Sequence, residues 1–203
     1  MITNTAVIIL AAGQGTRFGE KKQFVQFKSK EIWQHIYDKI CTLVEKDDVV
    51  VVGVNILGGA SRSLSVINGI KYFEDKKKNY SRILVLEAAR PLVSISQLED
   101  ILSDLHESVS YALPLVSTIV SKDGNYLDRD KYYRLSTPVA FDYDLFVKAY
   151  LSGNFTDVTD DTQVMYKFYG IKPYFLKGSE NLLKLTYQSD LVVLEKLSER
   201  YDQ

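Results

Sequence analysis

A short apolar run that ends in a glycine-rich turn constrains the fold of this chain more than any other feature. Residues 6–10 are apolar and rich in β-branched side chains, and the segment Ala11-Ala12-Gly13-Gln14-Gly15-Thr16-Arg17 follows them directly. Continuous apolar runs of this length are typical of parallel strands that are buried on both faces. Glycines permit the backbone conformations of a tight turn around an anion. We therefore predict a buried first strand followed by a ligand-binding loop, and not a signal peptide.

Alternating strands and helices continue this pattern through the first half of the chain. Apolar runs at 49–54 and 83–86 predict two further buried strands. Apolar residues at helical spacing predict helices within 30–44, 61–72 and 97–106. This alternation predicts an α/β fold with a doubly wound, mostly parallel sheet.

The second half of the chain begins with a β-rich excursion. Extended segments at 111–120 and 132–141 flank a turn that starts at Lys122. Helical patterns return afterwards at 144–150, 162–168 and 189–198. We see no internal repeat, and the length suits one domain over residues 1–203.

Composition excludes several classes of partner. The 25 basic and 26 acidic residues nearly cancel, so the basic surface expected of a duplex-binding protein is absent and no nucleic-acid partner is expected. No apolar run reaches the roughly 18 residues that span a bilayer, so no membrane partner is expected. The single cysteine, Cys41, cannot form an internal disulfide. These features predict a soluble, cytoplasmic protein.

Two cations follow the glycine-rich turn. Arg17 and Lys22 suit a triphosphate, whose charge must be neutralised during phosphoryl or nucleotidyl transfer. The turn is not a Walker loop, because the Gly-Lys-Ser/Thr ending is missing, and it does not match the dinucleotide fingerprint. By itself the turn also agrees with a plain strand-to-helix connection. The cations favour a nucleotide site.

Six motifs in sequence order carry a family resemblance. The first is the turn itself together with Lys22-Gln23-Phe24, the second is Gly58-Gly59-Ala60-Ser61-Arg62-Ser63-Leu64-Ser65, and the third is Glu87-Ala88-Ala89-Arg90-Pro91. The others are Thr118 with Arg129 and Thr137-Pro138, then Thr159-Asp160-Asp161, and last Lys184-Leu185-Thr186. Together they resemble the cytidylyltransferases that make CDP-methylerythritol in isoprenoid synthesis, and their sister group that makes CDP-ribitol for cell-wall polymers.

The resemblance implies a fold and a reaction. The fold is that of a nucleotidyltransferase with a β-arm, here at about 113–141, that interlocks with a partner subunit in a homodimer. The reaction transfers CMP from CTP to a small polyol phosphate, with Mg²⁺ as cofactor and pyrophosphate as product. The first expectation for the acceptor is 2-C-methyl-D-erythritol 4-phosphate. Ribitol 5-phosphate or glycerol phosphate is the alternative, and a catalytically inactive nucleotide-binding regulator is an alternative of another class.

The resemblance also implies roles for individual residues. The expected catalytic cations are Arg17 and Lys22 on the triphosphate and Lys184 on the α-phosphate. The expected nucleotide-binding residues are Ala11, Ala12, Gly13, Gly15, Thr16, Gly59, Ser65 and Ala88. The expected acceptor-binding residues are Arg90, Thr118, Arg129 and Thr137, with Thr118 and Arg129 completing the site of the partner subunit. Glu87 is the expected ligand of the metal ion.

Two departures from the family pattern affect the metal site. Glu87 stands where the family carries aspartate, so its carboxylate lies one methylene further from the main chain. The family also carries an acidic residue just before the Lys184 motif, and here that acid is either shifted to Glu180 or replaced by Asn181.

Overall fold

A six-stranded sheet forms the centre of the structure, a computed structural model that describes residues 2–153, 155 and 158–201. In sequence order the strands are β1 Thr5–Leu10, β2 Gln26–Phe27, β3 Lys30–Glu31, β4 Val49–Val52, β5 Arg82–Glu87, β6 Ser108–Pro114, β7 Ile119–Val120, β8 Tyr126–Leu127, β9 Tyr133–Asp142 and β10 Tyr174–Lys177. The helices are α1 Ile32–Ile40, α2 Arg62–Lys76, α3 Ile95–Ser103, α4 Tyr143–Ser152, α5 Thr162–Tyr169 and α6 Asp190–Tyr201. The order in the sheet is β10-β6-β9-β5-β1-β4, and only β9 runs antiparallel to its neighbours. The predicted α/β fold with a mostly parallel sheet is confirmed.

Strand β1 lies between β4 and β5, and its position explains its apolar sequence. Its side chains are buried on both faces of the sheet, as expected for a central parallel strand. Its last residue, Leu10, pairs with Val52 of β4 and with Glu87 of β5. The three strands therefore end together at one edge of the sheet. Ligands of open α/β sheets bind at this edge, beyond the carboxyl ends of the strands.

Helices cover both faces of the sheet. On one face α1 and α3 contribute Ile36 and Leu98 to the core, and on the other face α2 and α4 contribute Phe73 and Phe146. Burial of each of these side chains contributes about 1.5–3 kcal/mol relative to leaving it exposed. A third, smaller cluster lies where α6 packs against the chain beyond β1. The sheet edge is thereby held rigid from both sides.

The first turn of α2 begins at the sheet edge and is fixed by a cap. Ser61 Oγ accepts a hydrogen bond from the Leu64 amide at 3.2 Å, which satisfies one of the free N–H groups at the start of the helix. The cap fixes the direction in which α2 leaves its loop, and it brings Arg62 and Ser65 to the edge where β1 and β5 end.

A projecting hairpin separates β6 from β9. Strands β7 and β8 pair with each other and with no other strand in the described part of the chain. Strand β9, over residues 133–142, pairs with both β5 and β6. Most of the second extended segment, which the sequence analysis assigned to the β-arm, therefore belongs to the central sheet. The projecting part covers residues 115–132. Strand β10, at the edge of the sheet, was not predicted from the sequence.

Candidate active site

The glycine-rich loop after β1 forms the floor of a cavity at the sheet edge. Gly15 has φ +70°, and a Cβ there would lie 1.7 Å from the Glu20 carbonyl oxygen. The same residue's carbonyl accepts hydrogen bonds from the amides of Phe18 and Gly19, at 2.8 and 2.9 Å. A Cβ at Gly13, by contrast, would meet no atom within 4 Å. Gly15 therefore sets the shape of the loop, whereas Gly13 leaves open space beside its Cα, with its carbonyl accepting a hydrogen bond from Gln23 Nε2 at 3.1 Å.

A second glycine-containing loop forms one wall of the cavity. A Cβ at Gly58 would lie 2.2 Å from Ala12 Cβ, and a Cβ at Gly59 would lie 2.3 Å from Leu64 Cβ. The Gly59 amide donates to Ser65 Oγ at 3.1 Å, which ties the loop to the first turn of α2. The two glycines thus allow this loop to pack directly against the loop that follows β1.

The two loops and the end of β5 enclose a cavity of about 400 Å³. Its walls include every residue that the sequence assigned to the nucleotide or to catalysis: Ala11, Ala12, Gly13, Gly15, Thr16, Arg17, Lys22, Gly59, Ser65, Ala88 and Lys184, together with Glu87. Residues from four separate parts of the sequence therefore meet in one place.

Glu87 lies at the centre of the charged groups. Its Oε1 accepts a hydrogen bond from Lys184 Nζ at 2.7 Å, and its Oε2 accepts from Arg90 Nε at 3.2 Å and from Thr137 Oγ1 at 3.3 Å. Arg62 Nε lies 3.8 Å from Oε1. Burial alone would raise the pKa of Glu87, but Lys184, Arg90 and Arg62 outweigh burial and lower the pKa to about 2. Glu87 is therefore ionised at neutral pH.

Lys22 lies close to Lys184 on the opposite side of the cavity from α2. Its Nζ donates to the Leu185 carbonyl at 2.5 Å. Burial, and next the neighbouring charge of Lys184, lower the pKa of Lys22 to about 8. The Leu185 amide in turn donates to the Ala89 carbonyl at 2.8 Å, so the segment that carries Lys184 is fixed to the end of β5. Lys22 and Lys184 thus lie close enough for the charge of one to lower the pKa of the other, and Glu87 is the only carboxylate beside them among the described residues that line the cavity. A phosphate ligand would supply further negative charge at this position.

Arg90 and Thr137 lie behind Glu87 and outside the lining of the cavity. Arg90 Nε donates to Thr137 Oγ1 at 2.9 Å, and Arg90 Nη1 donates to the Leu182 carbonyl. Glu87 therefore separates the cations of the cavity from a second polar group that was predicted to bind the acceptor.

Thr118 and Arg129 lie on the projecting hairpin and far from this arrangement. Both are exposed, and Arg129 Nη1 donates to the Val116 carbonyl within the hairpin. Neither residue lines the cavity of its own chain.

The family model described as IspD, 2-C-methyl-D-erythritol 4-phosphate cytidylyltransferase, matches residues 5–200 of the sequence. The chain belongs to this family. The resemblance found in the six motifs is confirmed, and the IspD family is a family of cytidylyltransferase enzymes.

Individual relatives agree with the family assignment. The 2-C-methyl-D-erythritol 4-phosphate cytidylyltransferase of Thermotoga neapolitana is 30% identical in an alignment that covers 97% of this chain and 97% of that protein. The crystal structure of the Francisella tularensis enzyme of the same name superimposes with a TM-score of 0.77 at 26% identity, over 96% of this chain and 99% of that one. The bifunctional IspDF of Campylobacter jejuni gives a TM-score of 0.82 at 26% identity, over 95% of this chain and 55% of that one. This chain thus spans about half of the bifunctional protein.

IspD enzymes typically use a divalent metal ion, and the residues of the cavity fit one that is held mainly by the substrate. Among the described residues that line the cavity, only Glu87 carries a carboxylate. Residues 2–153, 155 and 158–201 contain no group of three or more acidic, histidine or cysteine side chains that could hold a metal. Magnesium is commonly bound by one or two carboxylates together with phosphate oxygens and water, so one carboxylate is sufficient.

The second acidic position of the IspD pattern does not contribute to this site. Glu180 Oε1 accepts from Arg200 Nη1 at 3.2 Å on an exposed part of the surface. Asn181 is buried, and its Nδ2 donates to the Leu92 carbonyl at 3.0 Å and to Gln97 Oε1 at 2.7 Å. Asn181 thus fixes the segment before Lys184. Glu180 does not line the cavity.

Arg62 and Asp161 are site residues that the sequence analysis did not single out. Both stand within IspD motifs, Arg62 in the second and Asp161 in the fifth, but neither was given a role. Arg62 lines the cavity and pairs with Asp161. Motif membership was the available signal, and the contact between the two residues could not be read from it.

Among the described residues, no helix has both the length and the apolar character required to cross a bilayer.

Proposed function

We propose that this chain transfers CMP from CTP to 2-C-methyl-D-erythritol 4-phosphate and releases pyrophosphate. One observation carries the proposal: Glu87 lies between the cavity cation Lys184 and a second polar group, formed by the cation Arg90 and the hydroxyl group of Thr137. A transferase needs two adjacent anion sites of this kind, one for the nucleotide and one for the acceptor phosphate. Membership of the IspD family and the names of its relatives support this choice of substrates.

In this proposal the nucleotide occupies the cavity of about 400 Å³. The triphosphate lies on the open face of Gly13 and is neutralised by Arg17 and Lys22. Lys184 contacts the α-phosphate from the side of β5. The small residues of the two loops receive the base and the ribose, and these residues are Ala11, Ala12, Gly15, Thr16, Gly59, Ser65 and Ala88.

The acceptor phosphate lies beside Arg90 and Thr137. Arginine binds phosphate through two parallel hydrogen bonds, and the Arg90 guanidinium is already oriented by its bonds to Glu87, Thr137 and the Leu182 carbonyl. Thr118 and Arg129 lie on the projecting hairpin, outside the cavity of their own chain. We therefore propose a homodimer in which the hairpin of each subunit completes the acceptor site of the other.

The chemistry follows from charge and position. An oxygen of the acceptor phosphate attacks the α-phosphorus of CTP, a new P–O bond forms, and the bond between the α-phosphorus and the bridging oxygen breaks in line. Pyrophosphate leaves with that oxygen. The attacking phosphate is ionised near pH 7, so no general base is needed. The contribution of Arg17, Lys22 and Lys184 is to position the phosphates and to stabilise the charge that develops on them.

We propose Mg²⁺ as the divalent metal, with Glu87 as its protein ligand. When bound, the ion would neutralise charge on the triphosphate. The Lys184 ammonium group has three N–H donors, so it can keep its hydrogen bond to Glu87 and also contact the α-phosphate. The proposed location of the reaction is the cytoplasm, in agreement with the single cysteine of the sequence.

The experiment that tests the proposal is pyrophosphate release from CTP and Mg²⁺ with methylerythritol phosphate, ribitol phosphate and glycerol phosphate in parallel. We expect release with methylerythritol phosphate and a background rate without acceptor. Release with ribitol phosphate or glycerol phosphate alone would show that methylerythritol phosphate is not the acceptor. If no acceptor reacts although CTP binds in a titration, the protein is a catalytically inactive nucleotide-binding regulator.

A further inference from the structure

Arg62 and Asp161 form a buried ion pair beside the proposed active site. Arg62 is the first residue of α2, and Asp161 directly precedes α5. Arg62 Nη1 and Nη2 donate to Asp161 Oδ1 and Oδ2, each at 2.6 Å, and the Asp161 side chain has no exposed surface. Tyr150 Oη also donates to Asp161 Oδ1, at 2.5 Å. Because two parallel hydrogen bonds fix the plane of a guanidinium group, the orientation of Arg62 is set by Asp161.

The remaining guanidinium nitrogen of Arg62 lies next to Glu87. The distance from Arg62 Nε to Glu87 Oε1 is 3.8 Å, and the same oxygen accepts the hydrogen bond from Lys184 Nζ. This distance is too long for a hydrogen bond, so the contact is an attraction between charges. Solvent screens it only weakly, because the Glu87 side chain is 12% exposed and the Arg62 side chain 24% exposed. Arg62 therefore acts on the carboxylate oxygen that holds Lys184.

Asp161 is available to Arg62 because a neighbour performs the capping of α5. Asp161 is the N-cap residue, yet its side chain makes no capping hydrogen bond. Asp160 Oδ1 instead accepts from the Thr162 amide at 2.8 Å and from Thr162 Oγ1 at 2.6 Å. Asp160 thus accepts the hydrogen bonds at the start of α5, and Asp161 pairs with Arg62.

A purely structural role does not explain the pair. A buried ion pair adds little stability compared with apolar side chains of similar volume, so packing alone would not require these charges. The guanidinium of Arg62 also lines the cavity, together with Glu87 and Lys184. Its charge therefore lies where the proposed reaction takes place.

We propose that Arg62 is a positioning residue for cytidylyl transfer, held by Asp161 and Tyr150 so that it orients Glu87 and, through Glu87, Lys184. The inference rests on the proposed function, because Lys184 is the cation assigned to the α-phosphate. Arg62 contacts neither reacting phosphate in this account. It holds the carboxylate in place, and that carboxylate keeps Lys184 Nζ beside the cavity.

The first test is Arg62→Lys, with Arg200→Lys as the matched control on an exposed ion pair. A single ammonium group keeps the charge but cannot engage both oxygens of Asp161 and also lie beside Glu87. We expect kcat to fall about 10- to 100-fold, the scale seen when a residue that orients an active-site ligand is changed. The KM for CTP should stay within about threefold, because the nucleotide contacts remain. Arg200→Lys should match the parent protein in both constants.

A second variant covers the case in which Arg62→Lys folds poorly. The double change Arg62→Gln with Asp161→Asn removes both charges together and leaves no unpaired buried ion, so we expect it to fold and to show the same loss of kcat. A kcat within about twofold of the parent in a folded variant would overturn the inference. Parent protein that releases no pyrophosphate from CTP would instead overturn the proposed function, and the inference with it. Active parent with equally active variants would overturn the inference alone.

Discussion

Lys184 Nζ donates a hydrogen bond to Glu87 Oε1 at 2.7 Å, although 97 residues separate them in the sequence. Glu87 ends the strand β5, and Lys184 lies on the segment between β10 and α6. The bond joins the group proposed to hold the metal to the group proposed to contact the α-phosphate.

Lys184→Ala should lower kcat by about 10²-fold or more, the scale seen when one group that stabilises charge in a transition state is removed. The physical reason is that Lys184 is the cation assigned to the phosphorus that is attacked. The measurement is steady-state pyrophosphate release. Lys196→Ala, a change on an exposed face of α6, serves as the control and should leave kcat unchanged. A loss below about threefold in Lys184→Ala would contradict the assignment.

The affinity for CTP should fall above pH 8 because Lys22 loses its charge there. Burial and the charge of Lys184 lower the pKa of Lys22 from 10.5 to about 8, so the ligand-free protein releases this proton as the pH rises through that value. A bound triphosphate favours the protonated form, and binding must then take up a proton. The dissociation constant should rise by up to about tenfold per pH unit between pH 8 and 9.5.

Titration calorimetry in two buffers of different ionisation enthalpy measures this proton uptake directly. Lys22→Arg is the control, because its guanidinium stays charged throughout this pH range. Its affinity for CTP should vary little between pH 8 and 9.5. Parallel pH profiles for the parent and Lys22→Arg would show that Lys22 is not the titrating group.

Glu87→Gln should destabilise the fold at neutral pH. The pKa of Glu87 is lowered from 4.5 to about 2, because Lys184, Arg90 and Arg62 outweigh the effect of burial, so the ionised form is favoured in the folded state. Its contribution to stability is fully present above pH 4.5 and is lost as the pH falls towards 2. Urea unfolding of the parent and Glu87→Gln should therefore differ most at pH 7.

The difference between the two proteins should shrink as the pH falls below 4.5. Glu87→Asp keeps the charge and serves as the control: we expect near-parent stability, with a changed dependence of the rate on Mg²⁺. An equal difference in unfolding free energy at pH 7 and at about pH 3 would rule out the carboxylate charge as the cause. An unchanged magnesium titration in Glu87→Asp would count against Glu87 as a ligand of the metal.

The projecting hairpin should join two chains into a dimer with composite acceptor sites. Val116 and Tyr126 are each 81% exposed on this hairpin, and such apolar side chains suit a protein interface. Light scattering should give twice the chain mass of 23.1 kDa. Charged substitutions at Val116 and Tyr126 should give monomers, whereas Val192→Glu on exposed α6 should not.

Mixing two inactive variants tests whether the sites are shared. Arg129→Ala and Lys184→Ala should each be nearly inactive. A mixed dimer contains one site with Lys184 from one chain and Arg129 from the other, so an equimolar mixture should recover about a quarter of the parent activity after exchange of subunits. If the mixture stays inactive while light scattering shows mixed dimers, the acceptor site does not include Arg129 of the neighbour.

The sequence by itself determined the local features of this protein. The buried strand at 6–10, the glycine-rich loop after it and the alternation of strands and helices each depend on neighbouring residues, so periodicity and turn chemistry are sufficient to predict them. The ligand-binding loop after the first strand was predicted in the same way, because ligands of open α/β sheets bind beyond the carboxyl ends of the strands. That residues as distant as Lys22 and Gly59 share one site was implied by the family resemblance.

Tertiary structure alone decided what depends on contacts between distant segments. The sequence showed an extended segment at 132–141 but not that β9 pairs antiparallel with both β5 and β6. The edge strand β10 was missed because it has only four residues, too few to establish a period. Nor could it show that Arg62 meets Asp161, 99 residues away, or that Glu87 gathers Lys184 and Arg90 around one carboxylate. Charges of opposite sign form an ion pair only when the fold brings them within a few ångströms of each other. Their separation along the chain does not determine that distance.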